Sequence, residues 1–415
     1  MLSDEAKAAL KATADALSAP GKGFLASDES AGPWLRAGHV EAKKIPDTAE
    51  NRAACACRDV AAPPRHPRAP AAPPAAPPTR QTAHPHFFRP IPPCADRSML
   101  YKTPGLSEYI SGVILHVETL FQKDANGEQM VDLITKAGMI PGIKLDKGYD
   151  KAGLPGTATG PLGHPETWCK GIDDLEKRAA EAYAQGARFA KWRNVLQIDP
   201  AKGIPSDLAI EMCVQNLAQY AAICQRQGLC PIVEPEIVPN GSHPIEVCAA
   251  VTEKVLVAQF RALALHNVYL EGAVLKPNMV KNGLEGPKAP PETVAAMTVQ
   301  TLTRTVPSAM PGIFFLSGET ALSEDNEETA TINLNAMHAQ TAMKLPWHLS
   351  FSYGKALQKT CIVTWMGKDE NVPAAQAALL ARAKANSEAT KGTYVAGSCK
   401  SVGAAGNVEM QGGAY

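Results

Sequence analysis

Long hydrophobic runs are missing from this 415-residue sequence. No stretch reaches the roughly 18 consecutive apolar residues that a membrane-spanning helix needs. The amphipathic N-terminal segment also lacks the apolar core of a secretory signal. We therefore expect no membrane partner and a cytoplasmic location. The plastid stroma is the alternative, if a transit peptide is missing from this chain.

An excess of charge of either sign is also absent. The 41 lysine and arginine residues balance 41 aspartate and glutamate residues, so the formal net charge is zero. This balance gives no bulk attraction to nucleic acid, and we expect no nucleic-acid partner. A small anionic substrate remains compatible with it, because such a ligand needs only a local basic cluster.

The ten cysteines do not form a metal-binding pattern. Cys55 and Cys57 are the one close pair, and no second cysteine pair or histidine pair completes a zinc site. In a long chain this spacing is typical of reduced thiols. We expect neither a metal nor another cofactor, which disfavours a metal-dependent mechanism.

What the sequence does contain is a regular alternation of short apolar runs with amphipathic helical patterns. The runs span 23–30, 111–118, 141–146, 188–194, 230–237, 268–279, 311–318 and 348–354. Eight such strand–helix units predict an α/β fold, a (β/α)₈ TIM barrel. A doubly wound open sheet is the alternative, but its glycine-rich nucleotide turn is missing after the first strand.

One segment departs from this rhythm. Residues 53–98 are dominated by proline and alanine, show almost no apolar periodicity and are predicted to be disordered. Without about 40 of these residues, the spacing from the first strand to the second matches the later ones. We interpret 1–415 as a single domain that carries this insertion, and the insertion as a retained intron or a gene-model error.

Charged side chains recur where the predicted strands end. Alternate residues of a strand face the same side, and the C-terminal ends of barrel strands form the active-site mouth. The residues in this position are Asp28, Lys144 with Asp146, Lys191 with Arg193, Glu234 with Glu236, Lys276 and Ser317. Because buried charges are costly unless they are paired, this pattern indicates acid–base chemistry on an anionic substrate.

Lys276 is the candidate nucleophile. It ends an apolar strand, directly before a proline. Crowding by Lys144, Lys191 and Arg193 would lower the pKa of its amine and free it to attack a carbonyl carbon. The resulting protonated Schiff base is an electron sink for cleavage of a carbon–carbon bond.

The neighbouring groups suggest the remaining roles. Glu234 or Glu236 could transfer the protons of Schiff-base formation, and Asp28 could act as a base on a substrate hydroxyl. The segments Leu316–Gly318 and Ser352–Lys355 follow the seventh and eighth strands, where barrels often bind phosphate. Two ordinary turns would explain these segments equally well.

These residues, in this order, resemble the class I fructose-1,6-bisphosphate aldolases, the metal-independent Schiff-base type. The resemblance covers about 1–52 and 97–415, and its most specific stretches are GKGFLASDES, PGIKLDKG, ARFAKWRNVL, PIVEPEI, LEGAVLKPNMV and SYGKALQ. It implies reversible cleavage of fructose 1,6-bisphosphate to dihydroxyacetone phosphate and glyceraldehyde 3-phosphate. It also implies a homotetramer that acts in glycolysis, gluconeogenesis or plastid carbon fixation.

The resemblance assigns a role to each candidate residue. Lys276 matches the Schiff-base lysine, Glu234 the acid–base glutamate with Glu236 beside it, and Asp28 the aspartate near the cleaved bond. Lys191 matches a neighbour in the acid–base network, and Tyr415 the tyrosine of a mobile tail, here 393–415. The phosphate-binding candidates are Lys144 and Arg193 at the C6 end, and Ser317, Gly318, Ser352, Gly354 and Lys355 at the other.

Two positions depart from the family pattern. Lys355 stands where the family usually has arginine, and lysine lacks the planar fork that contacts phosphate through two bonds. Glu319 adds a negative charge beside a phosphate site. Together with the insertion, these departures leave open an inactive relative that serves as a binding scaffold. Among enzymes, a transaldolase or another Schiff-base lyase is the alternative.

Overall fold

Eight parallel strands close into a barrel in which every strand pairs with its neighbours in chain order. The computed structural model describes residues 2–29, 95–318, 327–340 and 345–399. Helices cover the outside of the barrel, so the predicted (β/α)₈ fold is confirmed. No helix within these ranges is both long and apolar enough to span a membrane.

The eight strands fall on the eight predicted apolar runs. They are β1 (Gly23–Ser27), β2 (Ile110–Leu115), β3 (Ile140–Lys144), β4 (Phe189–Leu196), β5 (Cys230–Ile237), β6 (Val274–Leu275), β7 (Gly312–Phe315) and β8 (His348–Tyr353). β6 is much shorter than its run, because a 3₁₀ turn precedes it and Pro277 cannot donate a ladder hydrogen bond.

Eleven α-helices lie in the described ranges. They are α1 (Asp4–Leu17), α2 (Ala95–Tyr101), α3 (Val117–Phe121), α4 (Met130–Lys136), α5 (Leu175–Ala184), α6 (Asp207–Arg226), α7 (Ile245–Leu265), α8 (Pro291–Thr305), α9 (Glu328–Gln340), α10 (Lys355–Trp365) and α11 (Val372–Ala389). Their apolar faces and the outward faces of the strands form one large continuous core.

A second, smaller core fills the half of the barrel at the N-terminal ends of the strands. We call it the lower core. Phe24, Phe189 and Phe314 converge there from three strands, with ring centroids 5.3 Å apart for Phe24–Phe189 and 4.3 Å apart for Phe24–Phe314. Ala14 and Leu17 of α1 join this cluster and close the N-terminal end of the barrel. The charged side chains that face inward lie at the opposite end, as described below for Asp28, Lys191 and Glu234.

The boundary predicted for the insertion is wrong at its C-terminal side. Residues 95–98 belong to α2 rather than to a disordered segment. The Arg97 side chain is buried and donates hydrogen bonds to Thr119 Oγ1 and to the Glu29 carbonyl oxygen, which ties α2 to the barrel. The rest of the proposed insertion lies outside the described residues.

The predicted tail is described only in its first part, 393–399. Tyr394 is buried, and its hydroxyl donates a 2.6 Å hydrogen bond to Glu328 Oε1. The backbone N–H of Tyr394 donates to Asn335 Oδ1 at 2.9 Å. The start of the tail is therefore fixed against α9, whereas Tyr415 lies outside the described residues.

Gly142 and Phe189 supply a test of the lower core. A methyl group on Gly142 would come 2.2 Å from Phe189 Cε2, so we expect Gly142→Ala to lower the free energy of unfolding by about 1–3 kcal/mol. In a Phe189→Leu background the clash disappears, and the same substitution should cost less. Urea denaturation of the four proteins measures this coupling; additive costs would contradict the packing described.

Candidate active site

The barrel strands change character along their length. Phe189 of β4 lies in the apolar lower core, and Lys191 and Arg193 follow on the same face, two and four residues later. In β5, Ile232 lies in that core and is followed by Glu234 on the same face. Because alternate residues share a face, each strand carries its inward charges to the C-terminal mouth.

Four of these charged side chains form one ion-pair chain, which we call the buried quartet: Asp28, Lys191, Glu234 and Lys276. Lys191 Nζ lies 2.7 Å from Asp28 Oδ2 and 3.0 Å from Glu234 Oε2, and Lys276 Nζ lies 3.1 Å from Glu234 Oε1. Each of the four residues is at most 6% exposed. Two lysines and two carboxylates balance in charge, which makes their burial tolerable.

The charge states of Asp28 and Lys191 support each other. Burial favours the neutral form of Asp28, but the charges of Lys191 and Lys276 outweigh it and hold the pKa of Asp28 well below its usual range. Burial likewise opposes the charged form of Lys191, and Asp28 and Glu234 reverse this effect, so the pKa of Lys191 is raised. The pair therefore stays ionised at neutral pH.

Lys276 shows the opposite shift. Burial lowers the pKa of its amine, and Lys191 lowers it further, against the attraction of Glu234 and Asp28. The direction agrees with the sequence-based expectation, but the expected cause is corrected. Burial dominates, and Arg193 and Lys144 are not among the principal causes.

Arg193 and Lys144 do not crowd Lys276 because each is paired with a carboxylate on its own side of the mouth. Arg193 Nε donates to Glu236 Oε2, and Lys144 Nζ lies 2.7 Å from Asp146 Oδ1. The Arg193 and Lys144 side chains are 15% exposed, more than those of the buried quartet. We call these two partly exposed cations, Lys144 and Arg193, the cationic rim.

The candidates on β7 and β8 lie at the ends of adjacent strands. Ser317 and Gly318 follow β7 after Leu316, and Gly318 has a φ of +66° that favours glycine. Ser352 is buried in β8, and its hydroxyl has no hydrogen-bond partner among the described residues. Gly354 caps α10 and Lys355 is its first residue, and the N-terminal end of a helix dipole favours an anion.

His116 is a functional candidate that the sequence analysis did not select. It follows β2 two residues after Ile114 of the lower core, so it faces the mouth. Burial, together with the charges of Arg97 and Lys144, lowers the pKa of His116 to about 3. The strand-end rule that selected Asp28 and Lys276 would also have found His116.

Glu319, which the sequence analysis placed beside a phosphate site, lies outside the described residues.

Asp28 provides a prediction about pH. Its folded-state pKa lies below the value of about 3.9 for an unfolded chain, so its carboxylate stabilises the fold above that value. This contribution is lost as the pH falls through the folded-state pKa. Between about pH 5 and pH 2, unfolding free energies from urea titrations should therefore fall more steeply for the parent chain than for Asp28→Asn.

Asp173→Asn, at an exposed position, is the matched control and should follow the parent chain. Parallel pH profiles for the parent chain and Asp28→Asn would contradict the ion pair described for Asp28.

Comparison with known proteins supplies the family. A sequence model described as glycolytic fructose-bisphosphate aldolase class-I matches residues 95–415, beginning where α2 begins. The cytoplasmic aldolase isozyme of Spinacia oleracea is 52% identical over 302 residues, 72% of this chain and 80% of the relative. Fructose-bisphosphate aldolase 1 of Toxoplasma gondii is 44% identical over 397 residues, 95% of this chain and 93% of the relative.

A solved structure agrees with the sequence relatives. The fructose-bisphosphate aldolase of Plasmodium falciparum, in complex with TRAP and a small-molecule inhibitor, is 43% identical to this chain. The match has a TM-score of 0.79 and covers 95% of this chain and 98% of the other. With the closed barrel and the buried quartet, these findings confirm the family suggested by the sequence: the chain belongs to the class-I fructose-bisphosphate aldolases.

Proposed function

We propose that the buried quartet is the catalytic centre and that Lys276 carries the Schiff base of a fructose-1,6-bisphosphate aldolase. The observation that carries this assignment is a buried amine with a lowered pKa, 3.1 Å from the Glu234 carboxylate. Burial supplies the neutral nucleophile that attack on a carbonyl requires. The adjacent carboxylate supplies the proton transfer that dehydration requires.

Schiff-base formation begins when Glu234 takes a proton from the Lys276 ammonium group. The neutral amine adds to the C2 carbonyl of the substrate and forms a carbinolamine. Glu234 returns the proton to the hydroxyl, which leaves as water, and the product is an iminium ion. The Glu234 carboxylate, ionised again, is its counter-ion in the low-dielectric site.

Carbon–carbon cleavage is the role of Asp28. Its carboxylate takes the proton of the C4 hydroxyl, the C3–C4 bond breaks, and its electrons neutralise the iminium to an enamine. Glyceraldehyde 3-phosphate leaves. Protonation of the enamine at C3 and hydrolysis of the Schiff base then release dihydroxyacetone phosphate. By resemblance, Tyr415 assists this protonation.

Lys191 is assigned as a positioning residue between the two carboxylates. Its Nζ is within 3.0 Å of an oxygen of both Asp28 and Glu234. A fixed positive charge there keeps Asp28 ionised, which a general base requires. The same charge lowers the pKa of Lys276.

The two glutamates of β5 receive different roles. Glu234 contacts both lysines of the buried quartet, whereas Glu236 lies two residues further along the strand and pairs with Arg193. This arrangement supports Glu234 as the proton carrier. Glu236 would then hold the Arg193 guanidinium in position for the substrate.

The two ends of the mouth match the two phosphates of the substrate. Lys144 and Arg193 form the cationic rim on one side, for the C6 phosphate. Ser317, Gly318 and the β8–α10 segment, with Ser352, Gly354 and Lys355, lie on the other side, for the C1 phosphate. Backbone N–H groups at a helix N-terminus and partly buried cations are suited to phosphate.

We further propose a homotetramer and a cytoplasmic location. The homotetramer rests on the family resemblance; Val257 and Leu265 of α7, which are 59% and 62% exposed, are apolar side chains that a subunit contact could cover. Several matched relatives, from spinach, chickpea and Arabidopsis, are named cytoplasmic or cytosolic isozymes. The plastid stroma remains the alternative location.

Borohydride trapping tests the nucleophile. Reduction in the presence of fructose 1,6-bisphosphate should leave a stable adduct that peptide mass spectrometry maps to Lys276. Lys276→Met should abolish both the adduct and cleavage, by more than about 10³-fold in kcat, because the raised pKa of Lys191, the other buried amine of the quartet, keeps it charged and not nucleophilic. The variant should stay folded, since Lys191 still pairs with Glu234.

Lys177→Met, which removes an exposed lysine on α5, should keep full activity and labelling. If the parent protein is folded but forms no adduct, the result favours the alternative hypothesis of an inactive relative that serves as a binding scaffold. Labelling at a lysine other than Lys276 would exclude the assigned site.

Lys355→Arg tests the phosphate contact at the start of α10. Arginine restores a planar group that can form two bonds to phosphate, so KM for fructose 1,6-bisphosphate should fall by about threefold to tenfold with little change in kcat. Steady-state kinetics measure this, with Lys368→Arg at an exposed site just beyond α10 as the control. An unchanged KM in Lys355→Arg would contradict a contact between residue 355 and the substrate phosphate.

A further inference from the structure

A second lysine reaches the Ser317–Gly318 site from the loop after β6. Lys281 lies five residues beyond Lys276, and its Nζ is 3.9 Å from the point that a Cβ on Gly318 would occupy. Lys281, Ser317 and Gly318 line the same pocket. The two loops meet because β6 and β7 are neighbours in the barrel.

The loop that carries Lys281 is held on both sides. Leu316 N–H donates to the Pro277 carbonyl oxygen at 3.3 Å, which joins the ends of β6 and β7. Val280 N–H donates to Thr298 Oγ1 of α8 at 3.0 Å. The backbone of Lys281 also hydrogen-bonds to the Cys248 thiol on α7. The base of the Lys281 side chain is therefore fixed beside the phosphate-binding segment.

Lys281 supplies the positive charge among the described residues that line this pocket. The other described lining residues are apolar or neutral. The Lys281 side chain is partly buried, so its charge acts in a medium less polarisable than bulk water. Ser317 adds a hydroxyl that can donate a hydrogen bond to the same ligand.

We propose that Lys281 is a substrate-binding cation that contacts the C1 phosphate beside Ser317 and Gly318, and so selects phosphorylated ketones over unphosphorylated ones. The inference rests on the proposed function of this site and deepens it. The ammonium group acts as a point charge on the phosphate dianion. It would not take part in the bond-making steps, which occur at the C2, C3 and C4 atoms.

The experiment compares two ketones that differ by one phosphate group. Borohydride trapping on Lys276 is measured against the concentration of dihydroxyacetone phosphate and of dihydroxyacetone, in the parent chain, Lys281→Met and Lys281→Arg. Loss of one charge-assisted bond should raise the half-saturating concentration of dihydroxyacetone phosphate by about tenfold in Lys281→Met. The value for dihydroxyacetone should stay within about twofold, and Lys281→Arg should stay near the parent chain for both ketones.

Lys288→Met is the matched control. It removes one positive charge from the same loop at an exposed position. A general effect of net charge on the attraction of the anionic ketone would therefore appear in both Lys288→Met and Lys281→Met. The proposal predicts that only Lys281→Met loses preference for the phosphorylated ketone. Raising the salt concentration should shrink the difference between the parent chain and Lys281→Met.

The outcomes separate this inference from the proposed function. If Lys281→Met keeps the phosphate preference of the parent chain while Lys276 is still labelled, Lys281 does not bind the phosphate and the aldolase assignment stands. An equal loss with both ketones also overturns the proposal, because it points to a structural effect. If the parent chain labels Lys276 with neither ketone, the proposed function itself fails.

Discussion

The Lys191 ammonium group lies between the carboxylates of Asp28 and Glu234, and the rest of the site depends on these two contacts. Three charges are buried together there, and burial of a charge is costly unless it is paired. With Lys191 present, Asp28 stays ionised at neutral pH. Glu234 lies 3.1 Å from Lys276, where the proposed mechanism uses it as the proton carrier. In that proposal, one ion-pair network gives two carboxylates two different roles.

The barrel makes this network possible by dividing each strand into an apolar half and a polar half. Phe24, Phe189 and Phe314 fill the lower half, and α1 closes the end beneath them. Water is excluded from below, so the charges above rest on an apolar surface. The same packing that stabilises the fold therefore supplies the desolvation that lowers the pKa of Lys276.

Much of the barrel and of its charged mouth could be predicted from the sequence, because the alternation of side chains along a strand is a local property. All eight apolar runs contain strands, and the alternation of residues places Asp28, Lys191 and Glu234 correctly on the inward face. Two errors arose where a local pattern was overridden by its surroundings. β6 begins later than its apolar run because a 3₁₀ turn at Leu270–Gly272 precedes it. Residues 95–98, although they border a proline-rich stretch, fold into α2, where Arg97 has buried hydrogen-bond partners.

Local patterns in the sequence were enough to predict the fold class, the position of Lys276 at a strand end and the set of charges at the mouth. The pairing of those charges became clear from the three-dimensional fold: Glu234 with the buried lysines, Glu236 with Arg193, and Lys281 beside Gly318. Distance explains the difference. Side chains far apart in the chain meet through barrel closure, and ionic contacts depend on separations of a few ångströms that no local pattern encodes.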